Sequence, residues 1–435
     1  MAPLREVTLD DKYTLESGRI YLSGVQALVR LPLLQHQRDA AAGLDTAGFI
    51  TGYRGSPLGT YDSALNAARR HLDAHRIAFR PGVNEDLAAT ALWGTQQVGL
   101  YDDRTCDGVF GIFYGKGPGV DRSTDALKHA NLAGTAPHGG VLLLAGDDHA
   151  CQSSTTAHQS EQVLIAAMIP VLNPATVQDY LDFGLVALAL SRYSGCWIAM
   201  KAISETVESS ASVDVDPQRV RIVEPADFAP PPDGLHLRWP DTPLDQERRL
   251  HGPKMDAVRA FARANRIDRI VLDAPRARLG IVATGKAYLD VRQALADLGI
   301  DDARAQALGI RLYKVGLSWP LEPAGALAFA EGLDEILVVE EKRPIVEDQL
   351  AKLLYAQPAR PRVTGKCDES GAFLMPTDGE LSPAAVANAV AARLARVHGE
   401  LPELRAPLAR LARLSAVART PVAWPLRTPF FCAGC

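Results

Sequence analysis

Short runs of consecutive apolar residues, each ending in a glycine-bearing or polar loop and alternating with helical patterns, recur along residues 20–205 and leave few folds open. TAGFITGYRG (46–55), DGVFGIFYGKG (107–117), GGVLLLAGDD (139–148) and CWIAMKAI (196–203) are apolar at successive rather than alternate positions. A strand buried on both faces reads this way. Between them lie segments with a period near 3.6, at Gly24–Ala42, Tyr61–His75, Ser123–Gly134 and within VQDYLDFGLVALALSRYS. Alternating strands and helices predict a doubly wound α/β domain. Such sheets take their ligands at the carboxyl ends of the strands, so the loops there become the candidate site.

Four stretches qualify. TGYRGSPLG (51–59) follows the first strand directly and reads either as a ligand loop or as an ordinary turn. GKGPGVDR (115–122) lacks the Gly-Lys-Ser/Thr ending of a Walker loop. Its glycines let backbone N–H groups approach an anion, and its Lys116 and Arg122 face either a carboxylate or solvent. The polar loop after Val141–Ala145 holds Asp147, Asp148, His149 and His158, whose spacing matches no standard zinc pattern. It reads as polar groups gathered near the same pocket. In FRPGVNEDLAATALWGTQQVG, Asn84 is a good N-cap and Glu85 and Asp86 fall in the first helical turn. Both acids complement the helix dipole. Alternatively, Glu85 is a carboxyl desolvated by Ala, Leu and Trp, its pKa raised, ready to exchange a proton with a bound heterocycle.

Composition changes near Ser209 into a Pro- and Asp-rich stretch, followed by a helical segment at Leu244–Asn265. A second α/β unit is expected from strands Leu279–Ala283, Ile310–Val315 and Glu335–Glu340, with helices between them. One helix, Ser382–His398, precedes a proline-rich strap that stops at Cys432-Ala433-Gly434-Cys435. At 435 residues the chain is expected to hold two or three domains. A net charge of −5 without a basic block argues against nucleic acid, and no run approaches the ~18 apolar residues of a membrane span. The start is polar, predicting no signal peptide. Four single cysteines and one terminal pair are not a disulfide framework and point to a reducing cytoplasm.

Together TGYRGSPLG, Val83-Asn84-Glu85, Gly115–Gly119 followed by Asp121-Arg122-Ser123-Thr124-Asp125, Ala145–His149 and the terminal CAGC resemble the thiamin-diphosphate-dependent 2-oxoacid:ferredoxin oxidoreductases. Among these the fused bacterial indolepyruvate type is most similar. The resemblance implies a pyrimidine-binding domain at 1–206, a linker with a helix at 207–274, and a smaller domain like the transketolase C-terminal domain at 275–360. It also implies a linker at 361–435 leading to a diphosphate-binding and iron–sulfur domain. Glu85 would hydrogen-bond the aminopyrimidine ring of thiamin diphosphate. Gly55 and Ser56 would line the cofactor and substrate pocket, and Ser56, Arg54 and Lys116 would meet the 2-oxoacid carboxylate. The loop departs from the commoner Tyr-Pro-x-Thr-Pro form, which leaves Arg54 either at the carboxylate or in solvent.

Cys432 and Cys435 resemble the first two of the four ligands that a [4Fe–4S] cluster requires. The Gly-Asp-Gly…Asn signature that holds Mg²⁺ and the diphosphate is not in the sequence. The resemblance thus implies the front portion of a longer enzyme, inactive alone. The whole would convert an arylpyruvate such as indolepyruvate and coenzyme A to the acyl-CoA, with ferredoxin as acceptor and a homodimer as its usual state. The rival readings are a non-oxidative thiamin enzyme, decarboxylase or transketolase-like, and a non-catalytic assembly module.

Overall fold

The computed structural model describes residues 7–152, 154 and 156–418; Cys432 and Cys435 lie outside them. The chain divides into two compact units. The first takes residues up to Asp148 and then His158–Asn265; the second takes His149–Ala157 and the residues from Arg266. Among the described residues no helix is long and apolar enough to cross a membrane.

In the first unit, helix α1 (Gly24–Ala41) opens on a reciprocal cap: the Gln26 N–H donates to the Ser23 hydroxyl at 3.2 Å and the Ser23 N–H to Gln26 Oε1 at 3.0 Å. The strands are β1 (Thr46–Gly52), β2 (Ile77–Phe79), β3 (Gly108–Lys116), β4 (Val141–Asp147), β5 (Val171–Leu172) and β6 (Ile198–Ile203). They lie in the order β5-β6-β4-β3-β1-β2 and pair in parallel throughout. Every residue of β4 and β6 is buried, as their unbroken apolar runs require. Register sets Gly52 opposite Tyr114, Lys116 opposite Gly146 and Asp147 opposite Ile203. Three of the four candidate stretches therefore leave one edge of one sheet.

Much of the stretch expected to be a linker folds back onto this unit. Ser210–Asp214 pairs antiparallel with Arg19–Ser23. Helix Met255–Ala264 buries Met255, Val258 and Phe261, and the Phe261 ring lies 5.5 Å from that of Tyr193 in helix Val177–Ser194. Its apolar face needs a partner, and the neighbouring helix supplies one.

The second unit is built on strands β7 (Arg269–Leu272), β8 (Leu279–Thr284), β9 (Ile310–Val315), β10 (Glu335–Val339) and β11 (Arg362–Thr364), in the order β11-β10-β8-β9-β7. Only β7 runs antiparallel to its neighbour. The three central strands are those expected; the two edges extend the sheet beyond 275–360 on both sides. Val386, Val390 and Leu394 of helix Pro383–His398 join the core formed by Leu279, Ile281, Leu312 and Leu337.

Candidate active site

Asn84 caps helix α2 (Glu85–Thr95), its side chain accepting from the Leu87 N–H at 2.9 Å, so Glu85 is fixed as the first helical residue. Glu85 is 0% exposed, and neither carboxyl oxygen has a hydrogen-bond partner. Buried carboxyls are normally paired. Asp86, its neighbour in the chain, is the one that pairs, with Arg122 at 3.3 Å.

Opposite Glu85 stands the short helix α3 (Gly117–Arg122), which the glycine loop forms as soon as β3 ends. Its two glycines serve different neighbours. A Cβ on Gly119 would sit 2.2 Å from Glu85 Oε1, and one on Gly117 would sit 2.0 Å from Nδ1 of His158. Residues two apart in a helix face nearly opposite ways, and residues three or four apart share a face. Asp121 accordingly continues the Gly117 side and meets His158; Arg122 continues the Gly119 side and meets Asp86. GPGVDR is thus a wedge with Glu85 on one flank and His158 on the other.

His158 is clamped between two carboxylates, with Nδ1 3.0 Å from Asp147 and Nε2 2.8 Å from Asp121. Asp147, at the end of β4, also accepts from the Ser160 N–H at 2.9 Å and the Ser160 hydroxyl at 2.6 Å. Lys201 of β6 lies 3.7 Å from Asp147 and donates to Glu161 at 2.6 Å. Burial works against charging the imidazole, but the hydrogen bonds and charges of Asp147 and Asp121 outweigh it and raise its pKa from 6.5 to about 8. A group whose folded pKa lies above its unfolded value stabilises fully below the latter. That contribution fades as pH rises from about 6.5 through about 8. A shift of this size is worth about 2 kcal/mol at most, and the half-exposed Asp121 reduces it towards about 1. Urea unfolding across pH 6 to 9 is expected to show this loss as a steeper fall in the wild type than in His158→Gln, whose remaining slope comes from other buried titrating groups such as Glu340 and Lys254. Equal slopes in the two proteins would contradict the clamp.

The remaining candidates divide. Lys116 is buried and its stem covers Gly55, where a Cβ would lie 2.7 Å from Lys116 Cδ; the two loops are therefore packed together. Ser56 is half-buried in the same loop, whereas Arg54 is exposed. Asp147, Asp148, His149 and His158 do not form a metal set: among the described residues no group of three or more His, Cys, Asp or Glu is placed to hold a metal. The partnership of Asp121 with His158 and that of Lys201 with Glu161 are not apparent from the sequence. A lysine inside the apolar run WIAMKAI was the one available signal, because a buried lysine requires a carboxylate nearby.

The fold is similar to that of a 2-oxoacid:ferredoxin oxidoreductase. It matches the 2-oxoglutarate:ferredoxin oxidoreductase of Magnetococcus marinus, solved with 2-oxoglutarate, coenzyme A and succinyl-CoA bound, at a TM-score of 0.61 and 16% identity. The match covers 86% of this chain and 65% of that one. The expected fold class, α/β with a doubly wound domain and a smaller α/β domain, holds.

In sequence the chain is similar to indolepyruvate oxidoreductases. Residues 269–418 match the indolepyruvate oxidoreductase domain. Indolepyruvate oxidoreductase subunit IorA of Pyrococcus abyssi is 26% identical over 379 residues, covering 84% of this chain and 51% of that protein. The IorA subunit of Methanothermobacter marburgensis is 24% identical over 347 residues, covering 78% and 51%. The chain spans about half the length of these relatives.

Proposed function

We propose that the chain is the N-terminal portion of an oxidoreductase that oxidatively decarboxylates an arylpyruvate, with indolepyruvate the leading substrate. The acyl group passes to coenzyme A and the electrons to ferredoxin. The observation that carries this reading is Glu85, a buried carboxyl with no hydrogen-bond partner at the carboxyl edge of a parallel sheet, in a relative of the IorA subunits. An orphaned acceptor at that edge fits a ligand bearing a ring N–H, and thiamin diphosphate has the chemistry to be that ligand.

When bound, thiamin diphosphate supplies the nucleophilic carbon and the electron sink that decarboxylation of a 2-oxoacid needs. Glu85 holds and exchanges a proton at its carboxyl oxygens, with water kept away by its complete burial. Gly55 leaves room for the Lys116 stem beside Ser56, and Ser56, Lys116 and Arg54 are the groups assigned to the 2-oxoacid carboxylate. Cys432 and Cys435 would provide two thiolates to a [4Fe–4S] cluster completed elsewhere in the longer polypeptide, where Mg²⁺ and the diphosphate would also bind. A cytoplasmic homodimer completes the proposal.

The test is the mass, iron and thiamin content of the native protein, isolated without air. A polypeptide much longer than 435 residues carrying iron and thiamin is expected. Thiamin without iron would turn the reading to a non-oxidative enzyme. A native mass matching 435 residues with neither would leave an assembly module.

A further inference from the structure

Helix α3 is fastened on both flanks, and the two fastenings differ in kind. On the Glu85 side, Arg122 and Asp86 are each roughly two-fifths exposed, and such a surface pair holds weakly. On the other side the His158 side chain is 12% exposed and Asp147 0%, with both ring nitrogens engaged. The imidazole can serve Asp121 and Asp147 together only when both nitrogens carry protons, since a neutral ring donates through one nitrogen alone. The charged groups facing it are Asp121 from α3 and Asp147 from β4; Lys201 of β6 and Glu161 stand behind Asp147.

We infer that His158 is a positioning residue for Glu85: doubly protonated, it pins α3 to the end of β4 and so fixes the Gly119 backbone against which the Glu85 carboxyl lies. Loss of the proton releases one of the two carboxylates. Asp121 is the one to go, because Asp147 keeps Ser160 and Lys201 while Asp121 is 46% exposed to water. The wedge then keeps only the exposed Arg122–Asp86 pair among its ionic fastenings, and the wall against Glu85 loosens. The raised titration point of the ring, about 8, places this release just above neutrality. The role concerns the same carboxyl as the proposed function, but its mechanics need no cofactor.

Two readouts on the chain itself test it. The first is amide hydrogen exchange of the peptide spanning residues 117–124 between pH 6 and 9, corrected for base catalysis. In the wild type, protection is expected to fall by on the order of tenfold through the His158 titration. In His158→Gln it should be low at every pH, and in His158→Arg, which keeps its charge throughout, it should stay high to pH 9. The second is the side-chain carboxyl carbon resonance of Glu85, assigned through Glu85→Gln. It should move with the His158 titration in the wild type and remain still in His158→Arg. Exchange that follows the same course in wild type, His158→Gln and His158→Arg, or a Glu85 resonance indifferent to all three, would overturn the proposal. Should both readouts behave as expected while the native protein carries no thiamin, the clamp stands and the cofactor assignment falls.

Discussion

Replacing Glu85 by glutamine in the longer native polypeptide is expected to lower thiamin-dependent turnover by about a hundredfold to ten-thousandfold, the range over which a positioned proton-transfer group contributes. Glutamine keeps the length and shape of the side chain and removes only the exchangeable carboxyl proton, so substrate affinity should change much less than turnover. The same position carries a stability effect of opposite sign. A buried carboxyl with both oxygens unpartnered is a liability to the unliganded chain. Glu85→Met, apolar and of similar length, is therefore expected to raise unfolding stability by about 1–3 kcal/mol, read from urea midpoints at constant slope. Activity lost while stability rises is the signature of a residue retained for function. A Glu85→Gln enzyme with wild-type turnover, or a Glu85→Met chain less stable than wild type, would remove Glu85 from the site.

Gly119→Ala gives the second large effect. Inside an open helix, alanine is favoured over glycine by about 0.5–1 kcal/mol, so with free space the substitution would stabilise. Here the new methyl would stand 2.2 Å from Glu85 Oε1, 2.7 Å from Cδ and 2.8 Å from Cγ. The carboxyl must swing away or α3 must retreat, and overpacking of this kind costs about 1–3 kcal/mol. If Glu85 is the proton-transfer group proposed, moving its carboxyl by about 1 Å is expected to cost on the order of a hundredfold in rate. Trimming the partner provides the control. In Glu85→Ala the three atoms nearest the new methyl are gone, so Gly119→Ala should cost less there, and the double-mutant cycle should return a coupling of about 1–3 kcal/mol. Additive effects would mean that the two residues do not touch.

The contrast between these positions explains what the sequence made legible. The parallel strands were readable because burial on both faces leaves no polar alternation, and Val141–Ala145 has no other plausible use. The Glu85 helix was readable from its Asn84 cap and the acids that follow. The sequence also drew attention to GKGPGVDR, as a loop whose Lys116 and Arg122 face either a carboxylate or solvent. Its glycines at 117 and 119 make room for two side chains from distant segments, His158 and Glu85. Only the tertiary fold brings those segments together, and a glycine's reason for being small lies in its neighbour. Within 207–265 the helical segment at Leu244–Asn265 was legible and holds helix Met255–Ala264, whereas prolines and aspartates conceal the short edge pairing of Ser210–Asp214. The edge strands Arg269–Leu272 and Arg362–Thr364 are short and begin with arginine, as edges that avoid further pairing do.

The most direct measurement is anaerobic reduction of a viologen dye by the native polypeptide, given indolepyruvate and coenzyme A, with and without thiamin diphosphate. Reduction that requires the 2-oxoacid and the cofactor, and that Glu85→Gln abolishes, is the expected result. A protein replete with iron and thiamin that reduces no dye with any arylpyruvate, or whose rate is indifferent to Glu85, would contradict the assignment.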